Sequence, residues 1–223
     1  MKQDEVYKTI EADQFFARNK YDFSQLPPKK KTLIDNYVDL LAEEKVDTVF
    51  EVGCHIGDLL NYAGQLFNSR KRVGIEPSQL AVKQGEDLFP KNEYITGVIA
   101  ELSEIVDFAS DLTIINDVFC WISRETLFQS INNIDRTLKV GGRLLIRDFY
   151  PEKFTANPNK HVPDHSVYCY KVPGSHGQLF LDSGKYKLIR SKVFDGSELS
   201  LSKHEFESSF EDRWVEMFMI KVA

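Results

Sequence analysis

The chain has 223 residues, a net charge of −6, 42% apolar side chains, and 16 Phe, 9 Tyr and 2 Trp. That length fits one domain of ordinary size, or one domain with an insertion, and the apolar share suffices for a sizeable core. The negative charge argues against a nucleic-acid partner, because neutralising phosphates needs a basic face; the one basic run, Lys29-Lys30-Lys31 after Pro27-Pro28, reads as a solvated helix start. Cys54, Cys120 and Cys169 are far apart, odd in number and without a CxxC, so neither a disulfide frame nor a zinc site is expected, and the compartment is a reducing one. No apolar run reaches the length of a membrane span, and Met1 to Glu5 does not resemble a signal peptide, so a cytoplasmic protein without a membrane partner is expected.

In chain order, residues 1–28 carry Phe15, Phe16, Tyr21 and Phe23 without strong periodicity, and are expected to form either a cap over the site or an interface arm, as in a homodimer. "TLIDNYVDLLAEEK" (32–45) predicts an amphipathic helix. "VDTVFEV" (46–52) is a strand, bounded by Asp47 and Gly53, and "GDLLNYAGQLF" (57–67) a helix with Leu59, Leu60, Ala63, Leu66 and Phe67 on one face. "KRVGIEP" (71–77) is a strand ended by Pro77, followed by a helix over 78–89 with Ser78 as N-cap. Strands three and four are predicted at 92–99 and 111–119, then a helix at 123–138 with Ser123 as cap, then a Gly-Gly turn feeding a fifth strand at 139–149. A short helix at 177–184, stopped by Gly184, precedes two last strands at 185–194 and 213–223.

Strands alternating with helices mean right-handed crossovers and a parallel sheet covered on both faces. The expectation is a doubly wound, Rossmann-like α/β domain of seven strands, mostly parallel, closed by an antiparallel hairpin at one edge. One domain spans 1–223: a cap or arm (1–31), a cofactor-binding core (32–149), a substrate lid (150–176), and a closing helix and strands (177–223).

The turn "EVGCHIGD" lies at the carboxyl end of the first strand, where ligands bind in open α/β sheets. Gly53 and Gly57 permit positive φ and close ligand approach. A pyrophosphate would want bare amides at a helix N-terminus, and Asp58 and His55 make that cradle poor. A cationic ligand without phosphate fits better, and S-adenosyl-L-methionine is one. Glu76, ending the second strand, sits where an acid accepts two ribose hydroxyls, and Glu51 could hold the loop or contact the methionine moiety. An NAD-dependent oxidoreductase on the same sheet, or a non-catalytic binding module that kept the fold, are the alternatives.

"EVGCHIG", "GIEPSQLAV", "DLTIINDVFCWIS" and "LKVGGRLLIRDF" together resemble the ordered motifs of class I S-adenosylmethionine-dependent methyltransferases, over about residues 46–149. The resemblance implies a methyltransferase whose cofactor loop holds Glu51, Gly53, Cys54, His55 and Gly57, with Glu76 and Pro77 at the ribose. It further implies Ala100 or Glu101 beside the adenine, Asn116, Asp117 and Val118 at the methionine-facing turn, and Trp121 either under the adenine or in the core. The chain departs from the family pattern at His55, where a middle glycine is usual, at Trp121, where many relatives have His, and at Glu101, where Asp is commoner.

Residues 148–176 form a connection far longer than usual, and long ordered loops tend to be functional. Pro158, Pro163 and Pro173 predict irregular backbone there. A hydroxyl acceptor must lose a proton, for which His suits neutral pH, so His161, His165 and Asp148 are the candidate catalytic residues, and Tyr150, Tyr168 and Tyr170 are expected to shape the substrate pocket. No metal centre is expected, and His204 reads as structural or solvent-exposed. The insertion also resembles, more loosely, methyltransferases of bacterial surface-glycan (polysaccharide biosynthesis) pathways. That implies a small polar acceptor, a sugar or nucleotide-linked precursor, with O- and N-methylation both open.

Overall fold

The computed structural model describes residues 2–19, 21–23, 25–104, 108–195 and 213–223; His204 lies outside them. Its main sheet has seven strands in the order β3-β2-β1-β4-β5-β9-β8. These are β1 (Thr48–Val52), β2 (Lys71–Glu76), β3 (Glu93–Thr96), β4 (Ser110–Asn116), β5 (Leu138–Phe149), β8 (Tyr186–Asp195) and β9 (Arg213–Lys221). β1 to β5 pair in parallel, and β9 lies antiparallel between β5 and β8. The doubly wound sheet with its antiparallel closing pair is therefore present.

Helix α1 runs continuously over 3–18, with a π-helical stretch at Tyr7–Glu11. The others are α2 (Pro28–Asp35), α3 (Asp58–Leu66), α4 (Gln79–Leu88), α5 (Leu127–Thr137) and α6 (Gln178–Asp182). Alternate strand residues divide between two cores. Phe50, Val52, Ile115, Leu144 and Ile146 pack with Ile134 of α5 and Phe180 of α6, while Val49, Leu112, Ile114 and Leu145 pack with Leu33 of α2 and Leu59, Leu60 and Ala63 of α3. Burial on both faces is why the strands read as unbroken apolar runs. Ser78 caps α4 as expected, its hydroxyl accepting from the Ala81 amide at 3.0 Å.

Several elements differ from expectation. The helix predicted over 32–45 ends at Asp35, and a 3₁₀ turn at Val38–Leu40 follows. Tertiary contacts decide this: Asn36 donates to Glu216 at 3.0 Å, and buried Tyr37 stacks on Phe218 at 5.2 Å. The helix predicted from Ser123 starts at Leu127, because the Ser123 amide and the Thr126 hydroxyl both turn to the Asp4 carboxylate of α1. The Gly-Gly pair makes no separate turn but an irregularity within β5, where the partner register jumps between Ser110 and Leu112. The connection over 150–176 is irregular around Pro163 and Pro173, as expected, but not throughout. It forms a hairpin of β6 (Thr155–Pro158) and β7 (Tyr168–Lys171), with Pro158 at the last position of β6. Among the described residues, no helix is long and apolar enough to cross a membrane.

Phe218 is fully buried between β9's neighbours and Tyr37. Phe218→Ala is expected to cost about 3–5 kcal/mol of stability. Urea unfolding should show a lower midpoint at unchanged slope.

Candidate active site

Strand order reverses between β1 and β4, so their carboxyl ends open a crevice at the switch point. The first lip is the turn after β1, where Gly53 (φ 69°), His55 (φ 54°) and Gly57 (φ 75°) are all left-handed. Side chains rarely adopt that region unless their surroundings over-determine it. Here Glu76 does so: its Oε2 accepts from the His55 amide at 2.9 Å, and its Oε1 from the Ser78 amide at 3.0 Å. A Cβ at Gly53 would meet Val118 Cγ2 at 2.5 Å, so the two lips touch there and glycine is required. Cys54 is buried behind the loop, its thiol against Gly74 of β2.

The N-terminus of α3 is already filled by acids. Asp58 Oδ1 accepts from the Leu59 amide at 2.9 Å, and the Glu51 carboxylate accepts from the Leu60 amide. A diphosphate would find these amides taken and two carboxylates in its place; a cation would find them attractive. Lys30 of α2 donates to Asp58 Oδ1 at 2.6 Å, and the Tyr21 hydroxyl donates to Asp58 Oδ2 at 2.5 Å. Glu51 is buried, its Oε2 has no partner, and burial holds its pKa well above the usual carboxylate range. Burial likewise raises the pKa of Glu76, against the opposing pull of its two amide donors.

The His55 ring is enclosed by Phe15, Phe16, Tyr21 and Phe23, with ring centroids 5.3 to 6.4 Å away. Both its ring nitrogens are buried without a partner. Burial, reinforced by the charge on Lys30, brings its pKa down to about 4.

The second lip is the end of β4. Asp117 is left-handed (φ 59°), held by its amide donating to the Arg147 carbonyl at 3.0 Å. The residue is exposed to solvent, yet protein surrounds it so closely that burial, then the charge of Asp148, pushes its carboxyl up to about 7. Asn116 and Val118 flank it, half-buried, and a 3₁₀ turn at Phe119–Trp121 follows. The Trp121 ring lies 6.1 Å from Tyr7 of α1 rather than in the core. Ala100 and Glu101 lie in a 3₁₀ segment (Ile99–Glu104) pinned by Asn133, whose amide donates to the Ile99 and Ala100 carbonyls at 2.9 Å; Glu101 itself pairs with Lys8 at 2.8 Å. Pro77 is half-buried between Glu76 and Ser78.

The structure places the three candidates for the base in different surroundings. His161 is exposed, and neither its ring nor that of His165 makes a hydrogen bond among the described residues. Asp148 is fully buried and committed: Oδ1 accepts from the Phe149 amide, while Oδ2 meets Nδ1 of His176 at 2.6 Å and accepts from the His176 amide at 3.2 Å. Nδ1 is thus the donor nitrogen, leaving Nε2 to accept from Arg124 at 3.1 Å. This chain of Asp148, His176 and Arg124 ties β5 to the start of α6 and to the segment before α5. The Arg124 guanidinium also lies over the Tyr170 ring at 4.4 Å, and Tyr168 neighbours Tyr170 at 5.9 Å, while Tyr150 packs against the main core.

Sequence reasoning missed Lys30, Tyr7, Gln3 and Asp13, and named Tyr21 only as part of a cap or arm. Gln3 donates to the Trp121 and Tyr168 carbonyls at 2.6 and 3.0 Å, and Asp13 accepts from the Ser78 hydroxyl at 2.7 Å. The aromatic run of residues 1–28 was the available signal, because apolar rings at a chain start need a surface to cover. Nothing in the lysine run distinguished Lys30, whose importance comes only from where α2 docks.

Residues 50–144 match the family model described as "Methyltransferase domain". Over that stretch the chain is similar to methyltransferase domains, and its fold is the one seen in S-adenosylmethionine-dependent methyltransferases. A protein of Invertebrate iridescent virus 6 that carries a methyltransferase designation (235L) is 27% identical over 128 residues, 56% of this chain and 43% of the relative, so the chain spans less than half of that relative's length. The solved N-methyltransferase NodS from Bradyrhizobium japonicum WM9, in complex with S-adenosyl-L-homocysteine, superposes with a TM-score of 0.65 at 13% identity, covering 95% of this chain and 99% of NodS. The 1,6-didemethyltoxoflavin-N1-methyltransferase of Burkholderia thailandensis gives 0.69 at 11% identity, over 99% and 91% of the two chains. At such identities the likeness is one of fold. The methyltransferase fold's cofactor, S-adenosyl-L-methionine, fits the crevice: a cationic ligand suits the acid-filled turn, and each Glu76 oxygen keeps a lone pair beyond its amide.

His55 is expected to titrate near 4 by NMR of its ring protons. The neutral ring contributes stability that is present above its ordinary pKa of 6.5 and is lost as pH falls from 6.5 toward 4. The stability difference between wild type and His55→Gln should shrink across that window.

Proposed function

We propose that the protein transfers the methyl group of S-adenosyl-L-methionine to a small polar acceptor, by O- or N-methylation of a sugar or nucleotide-linked metabolite such as surface-glycan pathways use. The observation that carries this reading is Glu76 at the tip of β2, bound to the amides of His55 and Ser78 beside an acid-filled turn. When bound, the cofactor supplies an electrophilic methyl group on a positively charged sulfur.

The chain's own residues do the rest. The Gly53–Gly57 turn, with Cys54 behind it and His55 within it, would cradle the methionine moiety, and Glu51 beneath would complement its positive charge. Glu76 would accept the two ribose hydroxyls, with Pro77 alongside. Ala100, Glu101 and Trp121 would flank the base, and Asn116 and Val118 would close the methionine side. Tyr168 and Tyr170 of the hairpin, with Tyr150, would wall the acceptor and exclude water. Much of the rate enhancement in such a displacement comes from holding nucleophile and electrophile in line. Both solved structures described above are N-methyltransferases by name, which favours nitrogen among the acceptors.

Calorimetry should show saturable binding of S-adenosylhomocysteine to the wild type. Glu76→Ala should weaken it by about 1–3 kcal/mol, the loss of a charged acceptor for buried hydroxyls. Absence of binding at millimolar ligand would refute the reading. Release of S-adenosylhomocysteine across a panel of nucleotide sugars would identify the acceptor.

A further inference from the structure

The end of the sheet opposite the crevice carries a cavity of its own. Ser110 of β4 pairs with Leu138 of β5, and Leu112 pairs with Arg143, so residues 139–142 stand opposite the single residue Asp111. Surplus residues in one strand of a pair leave the ladder unpaired and bend the chain away from it. Gly141 is left-handed there (φ 84°), with open space where a side chain would stand. This stretch and the segment leading into β1 line a cavity of about 180 Å³, which has room for one small organic molecule. Leu41 and Val46 are buried in its wall, and Val140 is 67% exposed, so it offers a ligand apolar surface.

The charges lining the cavity are unequally satisfied. Asp111 is committed: its Oδ2 accepts from the Thr48 amide at 2.8 Å and its Oδ1 from Lys139 at 2.7 Å. Lys45 pairs with Asp47 at 2.7 Å. Arg143 is the most buried of the cations, its side chain only 12% exposed. Its Nη1 donates to the Gly141 carbonyl and its Nη2 to Glu44 Oε1 at 2.5 Å. The Nε–H is buried and has no partner among the described residues. Nε and Nη2 form one edge of the guanidinium, a fork on which a carboxylate docks with both oxygens. Glu44 holds one half of that fork, and the other half is empty. Glu44 is itself half-exposed, and ion pairs of that kind are weak, so it is readily exchanged.

We infer that Arg143 heads a second binding site, whose ligand is a small organic carboxylate that displaces Glu44 and takes both halves of the fork. Two parallel charge-assisted bonds then replace one, and the buried Nε–H gains the acceptor it lacks. The ligand's carbon chain covers Leu41, Val46 and Val140, burial that a bare inorganic anion cannot supply. The site is separate from the crevice: Arg143 precedes Asp148 by five residues along β5, roughly 16 Å of strand.

The test titrates the full chain with sodium butanoate, its neutral counterpart butanamide, and inorganic phosphate, at constant ionic strength. NMR follows the Arg143 Nε–H and the Gly141 and Gly142 amides. Butanoate is expected to shift all three saturably and to bind at least about tenfold more tightly than butanamide or phosphate. Arg143→Lys keeps the charge but loses the fork, and should weaken butanoate at least about tenfold. Glu44→Gln removes the rival carboxylate and should tighten butanoate at least about threefold. That exposed substitution leaves the fold intact, so it decides the matter even where Arg143→Lys does not fold. The inference is overturned if butanoate gives no saturable shift, or if butanamide or phosphate binds as tightly. It is equally overturned if Glu44→Gln leaves the butanoate affinity unchanged. Butanoate binding needs no S-adenosylhomocysteine, so failure here and failure of the methyltransferase reading are told apart by which of the two ligands binds.

Discussion

One carboxylate fastens two strand ends together, and the crevice takes its shape from that fastening. Glu76 ends β2, yet it grips the amide of His55 in the turn after β1 and the amide of Ser78 at the cap of α4. Without it, the left-handed path through Gly53, His55 and Gly57 would lose the bond that fixes its middle. Its burial is costly for a charge, and the two amide donors offset part of that cost. Half-buried Lys30 offsets a further part, bonded to Asp58 at 2.6 Å and favouring the charged forms of Glu51 and Glu76. A site built from buried acids around a single lysine is poorly suited to phosphates and well suited to a positively charged donor.

The chain's first segment completes the site from outside the sheet. Helix α1 reaches Ser78 through Asp13, Glu101 through Lys8, Ser123 and Thr126 through Asp4, and Tyr168 through Gln3. Its phenylalanines, with Tyr21 and Phe23, bury the His55 ring. The polar ties contribute roughly 1 kcal/mol each, and the half-exposed Lys8–Glu101 pair less still. The apolar seat around His55 is therefore the stronger anchor, and it works only while that imidazole is neutral.

The sheet was legible in the sequence because strands buried on both faces leave unbroken apolar runs between helical stretches, and because Gly53, Glu76 and the turn after β4 sit at their ends. The chain's start was not. Its aromatic residues have no periodicity of their own because they are arranged to fit His55 and Ile56, residues distant in sequence. The helix predicted through residue 45 stops at Asp35 because Asn36 and Tyr37 are claimed by β9. The same kind of long-range pairing hid His176: its partner Asp148 is 28 residues earlier, and spacing gave no reason to prefer it over His161 or His165. The hairpin between β5 and α6 was obscured by the prolines around it, one of which occupies a strand end where no amide is needed.

A crystal structure with S-adenosylhomocysteine addresses the central claim most directly. The account requires its ribose hydroxyls within hydrogen-bond distance of both Glu76 oxygens, its sulfur between the Gly53 turn and the end of β4, and the His55 and Ser78 amides still bound to Glu76. Density for the ligand elsewhere, with that carboxylate untouched, or a diphosphate seated at the start of α3, would contradict it.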